Sequence, residues 1–124
     1  ANIEDIVSES IFKVVMIHPN MEKIKNQLNS VCDKTLCMQS EGIIYTLTNS
    51  DTTKGKTLKK LLEYLDIDAN SVLAFGDNYN DISMFEVADG VAVENAQESL
   101  KEVAKYLTKS NEDDGVSYFI QKNL

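Results

Sequence analysis

A short run of apolar residues, 72–75, ends at Gly76 and gives way at once to Asp77-Asn78-Tyr79-Asn80-Asp81. Four apolar residues suit a strand buried on both faces of a sheet better than a helix. Gly76 lets the backbone turn sharply where such a strand leaves the sheet. Asp77 is then the first side chain beyond the strand's carboxyl end, the edge at which open α/β sheets bind ligands. Asn80 and Asp81 fall at the start of the next helix, where Asx residues cap well and anions are attracted. Two carboxylates and two amides within five positions make a hard, oxygen-rich group suited to Mg²⁺. A calcium EF-hand does not fit, because Tyr79 and Ile82 stand where that loop needs an oxygen ligand and a glycine. A plain polar strand-to-helix turn would carry the same letters.

The flanking sequence builds an α/β layer around this loop. Leu58, Leu61, Leu62 and Leu65 recur at helical spacing, behind the polar connector Asn49-Ser50-Asp51-Thr52-Thr53. Residues 81–87 start a helix and 90–93 form a second buried strand. Residues 99–107 read as a helix with Leu100, Val103, Ala104 and Leu107 on one face, and 116–124 as a closing helix with Val116, Phe119 and Ile120 inward. This alternation argues a parallel sheet covered by helices. Lys54 opens the helix that leads into the Asp77 strand. At that sheet edge its ammonium would pair with a phosphate and with nearby carboxylates. It is equally one of four lysines, with Lys56, Lys59 and Lys60, that could simply face solvent.

The first fifty residues have a different texture. Residues 11–17 are apolar and β-branched, Pro19-Asn20 stops them, and Met21, Ile24, Leu28 and Val31 trace an amphipathic helix. Residues 35–39 and 43–48 read as two short strands joined at Ser40-Glu41-Gly42, so the order is β-α-β-β. The chain divides near residues 48–53. The fold expected is α/β: part of a doubly wound, Rossmann-like parallel sheet, preceded by part of an α+β domain.

Charge narrows the function classes. A net charge of −8 repels phosphate backbones and offers no basic patch to an anionic membrane, so neither nucleic acid nor a membrane is expected as partner. The first residues lack a basic and then apolar leader, and Cys32 and Cys37 stand four residues apart without a second pair. Both features read as a cytoplasmic protein with reduced thiols. His18 beside Pro19 reads as a turn residue, the five tyrosines as half-buried packing, and the methionines as core filler.

Four blocks in order carry a resemblance: Lys54-Gly55-Lys56-Thr57-Leu58, Gly76-Asp77-Asn78-Tyr79-Asn80-Asp81-Ile82-Ser83-Met84, Gly90-Val91-Ala92-Val93-Glu94-Asn95-Ala96, and Asn111-Glu112-Asp113-Asp114-Gly115-Val116. Together they resemble the tail of Cof-type, sugar-phosphatase-like hydrolases of the haloacid-dehalogenase superfamily. The β-α-β-β unit before them is similar to the closing half of that family's cap domain, which sets the expected division as cap 1–50 and core 51–124. The resemblance implies a Mg²⁺-dependent phosphatase acting on a small phosphorylated metabolite through an aspartyl-phosphate intermediate. Lys54 would hold the substrate phosphate and the nucleophile's charge. Asp77 would ligate Mg²⁺, Asn80 would contact phosphate or substrate, and Asp81 would bind through water or orient the loop.

The family's nucleophile motif, Asp-x-Asp usually followed by Gly-Thr, has no counterpart. The single Asp-x-Asp, Asp66-Ile67-Asp68, follows a helix, precedes a strand and reads as a solvated turn. With no initiator Met either, the expectation is a C-terminal portion that is inactive as this chain alone. The strand carrying Asp77 would then have an open edge that invites pairing with a second copy. The competing expectation is a non-catalytic α/β remnant or interaction module.

Overall fold

A computed structural model of the 124-residue chain describes residues 12–31 and 33–124. It divides into two compact units, Ala1–Thr52 and Thr53–Leu124.

Among the described residues the first unit is a three-stranded antiparallel sheet, ordered β1-β3-β2, with one helix. The elements are β1 (Lys13–Ile17), α1 (Met21–Val31), β2 (Thr35–Glu41) and β3 (Ile44–Asn49). Ile11 and Cys32 lie outside the described residues. Val14 pairs with Leu47 and Met16 with Tyr45, so one face of the sheet is apolar at alternate positions. Met21, Ile24 and Leu28 of α1 pack on that face with Met16, Cys37, Tyr45 and Leu47. Asn29 closes the outer side of β2 as a strand would: its Oδ1 accepts from the Cys37 N–H at 3.0 Å and its Nδ2 donates to the Cys37 carbonyl at 3.4 Å. Burial raises the pKa of the Cys37 thiol, against the opposing charge of Lys25. The hairpin turn falls one residue later than the sequence suggests. β2 runs on to Glu41 past a bulge, and Gly42 takes the left-handed conformation at φ 49°.

The second unit holds a three-stranded parallel sheet ordered β4-β5-β6, with β4 at Leu73–Gly76, β5 at Asp89–Val93 and β6 at Tyr106–Thr108. Its helices are α2 (Lys54–Leu65), α3 (Ile82–Phe85), α4 (Glu98–Val103) and α5 (Gly115–Asn123). The central strand β5 is the most apolar and is buried from Gly90 to Val93. Ala92, Val93, Ala96 and Leu100 form the core, with Ile82, Phe85 and Ala104 against it. Phe119 of α5 is buried and meets Phe75 edge-on at 5.7 Å.

Several expectations change here. The helix expected over 99–107 stops at Val103, and residues 106–108 form β6 instead. Ala104 is extended, the Lys105 N–H donates to the Gly90 carbonyl at 3.0 Å, and Val91–Val93 take Tyr106–Thr108 as parallel partners. The apolar spacing alone could not report that β5 has a free edge to fill. On α5 only Phe119 is inward, while Val116 and Ile120 are substantially exposed. On α2 it is Leu62 that is buried, and Leu61 and Leu65 face outward. Tyr45 is buried and Tyr64 is almost fully exposed, so neither is half-buried packing. Asp66 and Asp68 form an exposed turn: Asp66 ends α2 in the left-handed conformation, and Asp68 caps the short 3-10 turn Ala69–Ser71.

Candidate functional site

The site is assembled at the carboxyl edge of the parallel sheet from one helix start and the loops that leave the strands. Thr53 accepts a hydrogen bond from the Lys56 N–H and so caps α2, making Lys54 its first residue. Gly76 is not the turn residue the sequence suggests but the last residue of β4, paired with Ala92, where a Cβ would lie 2.7 Å from that of Asp81; the chain then enters a single 3-10 turn, Tyr79–Asp81, before α3. Asn78 and Asp81 form a capping box across that turn, each side chain accepting from the other's end of it.

Asp81 organises the geometry. It is 3% exposed and is the buried charged residue among those described. One carboxylate oxygen accepts from the backbone N–H groups of Asp77 at 3.0 Å and Asn78 at 3.1 Å. The other forms an ion pair with the Lys54 ammonium. Burial raises the pKa of the carboxyl, but the Lys54 contact and the two backbone donors outweigh it, leaving the group below its ordinary 3.8. Asp81 is therefore ionised, buried and engaged at both oxygens, and it works as a clamp. The Asp77 carboxylate is different: it is exposed and accepts no hydrogen bond among the described residues.

The two sequence blocks are also joined through Ser83, which the sequence reading did not single out. Its hydroxyl accepts from the Gly55 N–H at 3.0 Å. Gly55 is buried against α3 so closely that a Cβ there would lie 1.9 Å from the Ser83 carbonyl oxygen. No larger residue fits at that helix crossing, which holds the start of α2 beside the Asp77 loop.

Lys54, Asp77 and Asp81 line an open cleft of about 400 Å³ with Phe75, Val93 and Asn111. Asn80 is not among its lining residues; its carbonyl lies 3.5 Å from the Ser83 hydroxyl. A larger hollow, about 610 Å³, lies where α2 ends before β4 and touches none of the four residues expected from the sequence. Position and not size picks out the smaller cleft, since it lies at the carboxyl end of β4 and brings the Lys54 ammonium beside the unengaged Asp77 carboxylate. No three His, Cys, Asp or Glu side chains converge as a metal cage among the described residues. With both Asp81 oxygens engaged, the free Asp77 carboxylate fits Mg²⁺ as a single-carboxylate ligand, the rest of whose shell would be water and phosphate oxygen.

Asn95, Ser110 and Asn111 join the site through hydrogen bonds that the sequence reading did not anticipate. Asn95 and Asn111 stand in the third and fourth blocks, which was the available signal, but nothing in the letters says that they touch. No helix of the described residues is long and apolar enough to cross a membrane.

Known proteins are similar to this chain over most of its length. The haloacid dehalogenase-like hydrolase family matches residues 1–120. A 5-amino-6-(5-phospho-D-ribitylamino)uracil phosphatase of Bacillus subtilis is 38% identical over 119 residues, covering 94% of this chain and 42% of that protein. A haloacid dehalogenase-like hydrolase from Bacteroides thetaiotaomicron superposes with a TM-score of 0.77 at 31% identity, covering 93% of this chain and 45% of that one. A sugar phosphatase of haloacid dehalogenase subclass IIB does so with a TM-score of 0.84 at 25% identity, covering 98% and 46%. The chain thus spans less than half the length of these relatives. With the family match over residues 1–120 and the fold shared with solved members agreeing, the chain belongs to the haloacid dehalogenase-like hydrolase family.

Proposed function

We propose that this chain carries the metal-facing and phosphate-facing half of a phosphatase site for small phosphorylated metabolites. The observation that carries the reading is the double engagement of Asp81. Through one oxygen it ties the Asp77 loop and through the other it holds Lys54, so a cation and a free carboxylate share one cleft. The phosphatases among the relatives support the reaction class.

On this reading Lys54 attracts and orients the phosphoryl oxygens as a point charge, and the Asp77 carboxylate is the ligand this chain offers to Mg²⁺. Asp81 acts through both, as the residue that positions them. Bound Mg²⁺ supplies charge neutralisation at the phosphoryl oxygens. Asn80, in the middle of the turn Tyr79–Asp81, is the substrate contact that the family resemblance implies. Transfer through an aspartyl-phosphate needs a nucleophilic carboxylate in an Asp-x-Asp-Gly-Thr setting, which does not occur in these 124 residues. The division into a cap unit before Thr53 and a core unit after it belongs to the same reading.

A second reading, an α/β interaction module, draws on β4. That strand pairs with β5 on one side and has no strand partner on the other among the described residues. Magnesium titration separates the two. Binding that disappears in Asp77→Ala supports the half-site, and absence of binding supports the module.

A further inference from the structure

The turn after β5 ties together the loops that follow β4 and β6. Toward β4, the Gln97 N–H donates to the Asp77 carbonyl at 2.9 Å. Toward β6, the Asn95 side chain meets Ser110 and Asn111. Asn95 Oδ1 accepts from the Asn111 backbone N–H at 3.1 Å and from the Ser110 hydroxyl at 3.1 Å. Asn95 Nδ2 donates to Asn111 Oδ1 at 2.8 Å.

These contacts determine which way both amides face. A backbone N–H can only donate, so the Asn95 atom opposite it is the oxygen. The Asn95 nitrogen must then face an acceptor, and Asn111 meets it with its own oxygen. The Ser110 hydroxyl lies 3.5 Å from that same Asn111 oxygen. The acceptor of the Asn111 side chain is therefore engaged. Its donor, Nδ2, has no partner among the described residues, and Asn111 lines the cleft with Lys54 and Asp77.

We propose that Asn111 is a further substrate-binding residue, offering a side-chain N–H to an oxygen of the bound phosphate ester, and that Asn95 is the positioning residue fixing that orientation. The inference rests on the cleft being a phosphate site. If the Asn111 amide turned over, its carbonyl oxygen would face phosphate oxygens and repel them. The Asn95 hydrogen bonds favour the donor-outward orientation before the ligand arrives, which lowers the ordering cost of binding. The oxygen that accepts lies either on the phosphoryl group or on the hydroxyl-bearing carbon skeleton.

The test uses the ¹⁵N-labelled 124-residue chain with Mg²⁺, titrated with inorganic phosphate and separately with glucose 6-phosphate. The Asn111 side-chain amide signal is assigned by its loss in Asn111→Ala. The expected result is a shift of that signal. Asn111→Ala and Asn95→Ala should each weaken binding about three- to tenfold, and the double variant should be no weaker than either. Shifts with both ligands assign the contact to the phosphoryl group, and shifts with glucose 6-phosphate alone assign it to the carbon skeleton. Movement of the Lys54 and Asp77 backbone signals, with the Asn111 amide still and Asn111→Ala binding normally, overturns the proposal and leaves the phosphate site standing. Additive losses in the double variant overturn the role of Asn95. A titration in which no cleft residue responds removes the phosphate reading and this inference with it.

Discussion

Lys54 and Asp81 are 27 residues apart in the chain, and their side chains form an ion pair at the carboxyl edge of the sheet. The pair is asymmetric: the lysine is half exposed and the carboxylate almost wholly buried. Asp81 has three donors and Lys54 retains an exposed face, so the pair restrains the lysine without covering it.

Lys54→Met keeps the apolar stem and removes the ammonium. Asp81 would keep its two backbone donors but lose its counter-charge. Because the pair is partly solvated, the expected cost is about 1–2 kcal/mol, read as a lower urea midpoint with an unchanged slope. An unchanged midpoint would mean that the pair adds nothing to stability.

The Asp81 carboxyl has a folded pKa below 3.8, its ordinary value. Its contribution is then fully present above the unfolded value and is lost as the pH falls through the folded one. Below about pH 4 the unfolded chain binds the proton more readily, and stability declines. The stability gap between the native chain and Asp81→Asn should therefore narrow as the pH falls below about 4. Denaturant titrations at several pH values measure it, and a gap independent of pH would contradict the assignment.

Gly55→Ala places a methyl group where the Ser83 carbonyl already is. The helix crossing must open, at about 1–3 kcal/mol or more, and Lys54 must move with it. Thermal denaturation gives the stability loss, and weakened phosphate binding by the same variant gives the displacement.

Asp77→Asn should behave oppositely. The carboxylate is exposed and makes no hydrogen bond among the described residues, so stability should change by less than about 0.5 kcal/mol. Mg²⁺ binding, followed by calorimetry, should be lost.

The 124-residue chain by itself should not hydrolyse an aryl phosphate in the presence of Mg²⁺. Turnover that depends on Asp77 would show that a nucleophile exists among these residues after all.

Local features were legible because their physics acts over a few residues. The polar connector ends at Thr53, Lys54 opens the helix, and Asp77 directly follows the buried strand. The Asp66-Ile67-Asp68 segment ends a helix and caps a 3-10 turn, as a solvated turn should. Each depends on contacts within about four positions, so the letters alone suffice.

Residue patterns alone thus set the family, the α/β class and the stretch of chain carrying the candidate chemistry. The tertiary structure decided what those residues touch. Leu107 continues a helical stripe yet lies in β6, because β5 offers unpaired backbone donors and acceptors that a strand satisfies and a helix does not. Asp81 reads in the sequence as binding through water or orienting the loop, and the tertiary contacts engage its two oxygens with Lys54 and two backbone N–H groups. Asn95 meets Asn111 only because the loops after β5 and β6 emerge side by side from a parallel sheet. Contacts across 16 to 28 residues depend on which strands pair and how closely helices cross, and no local pattern encodes that.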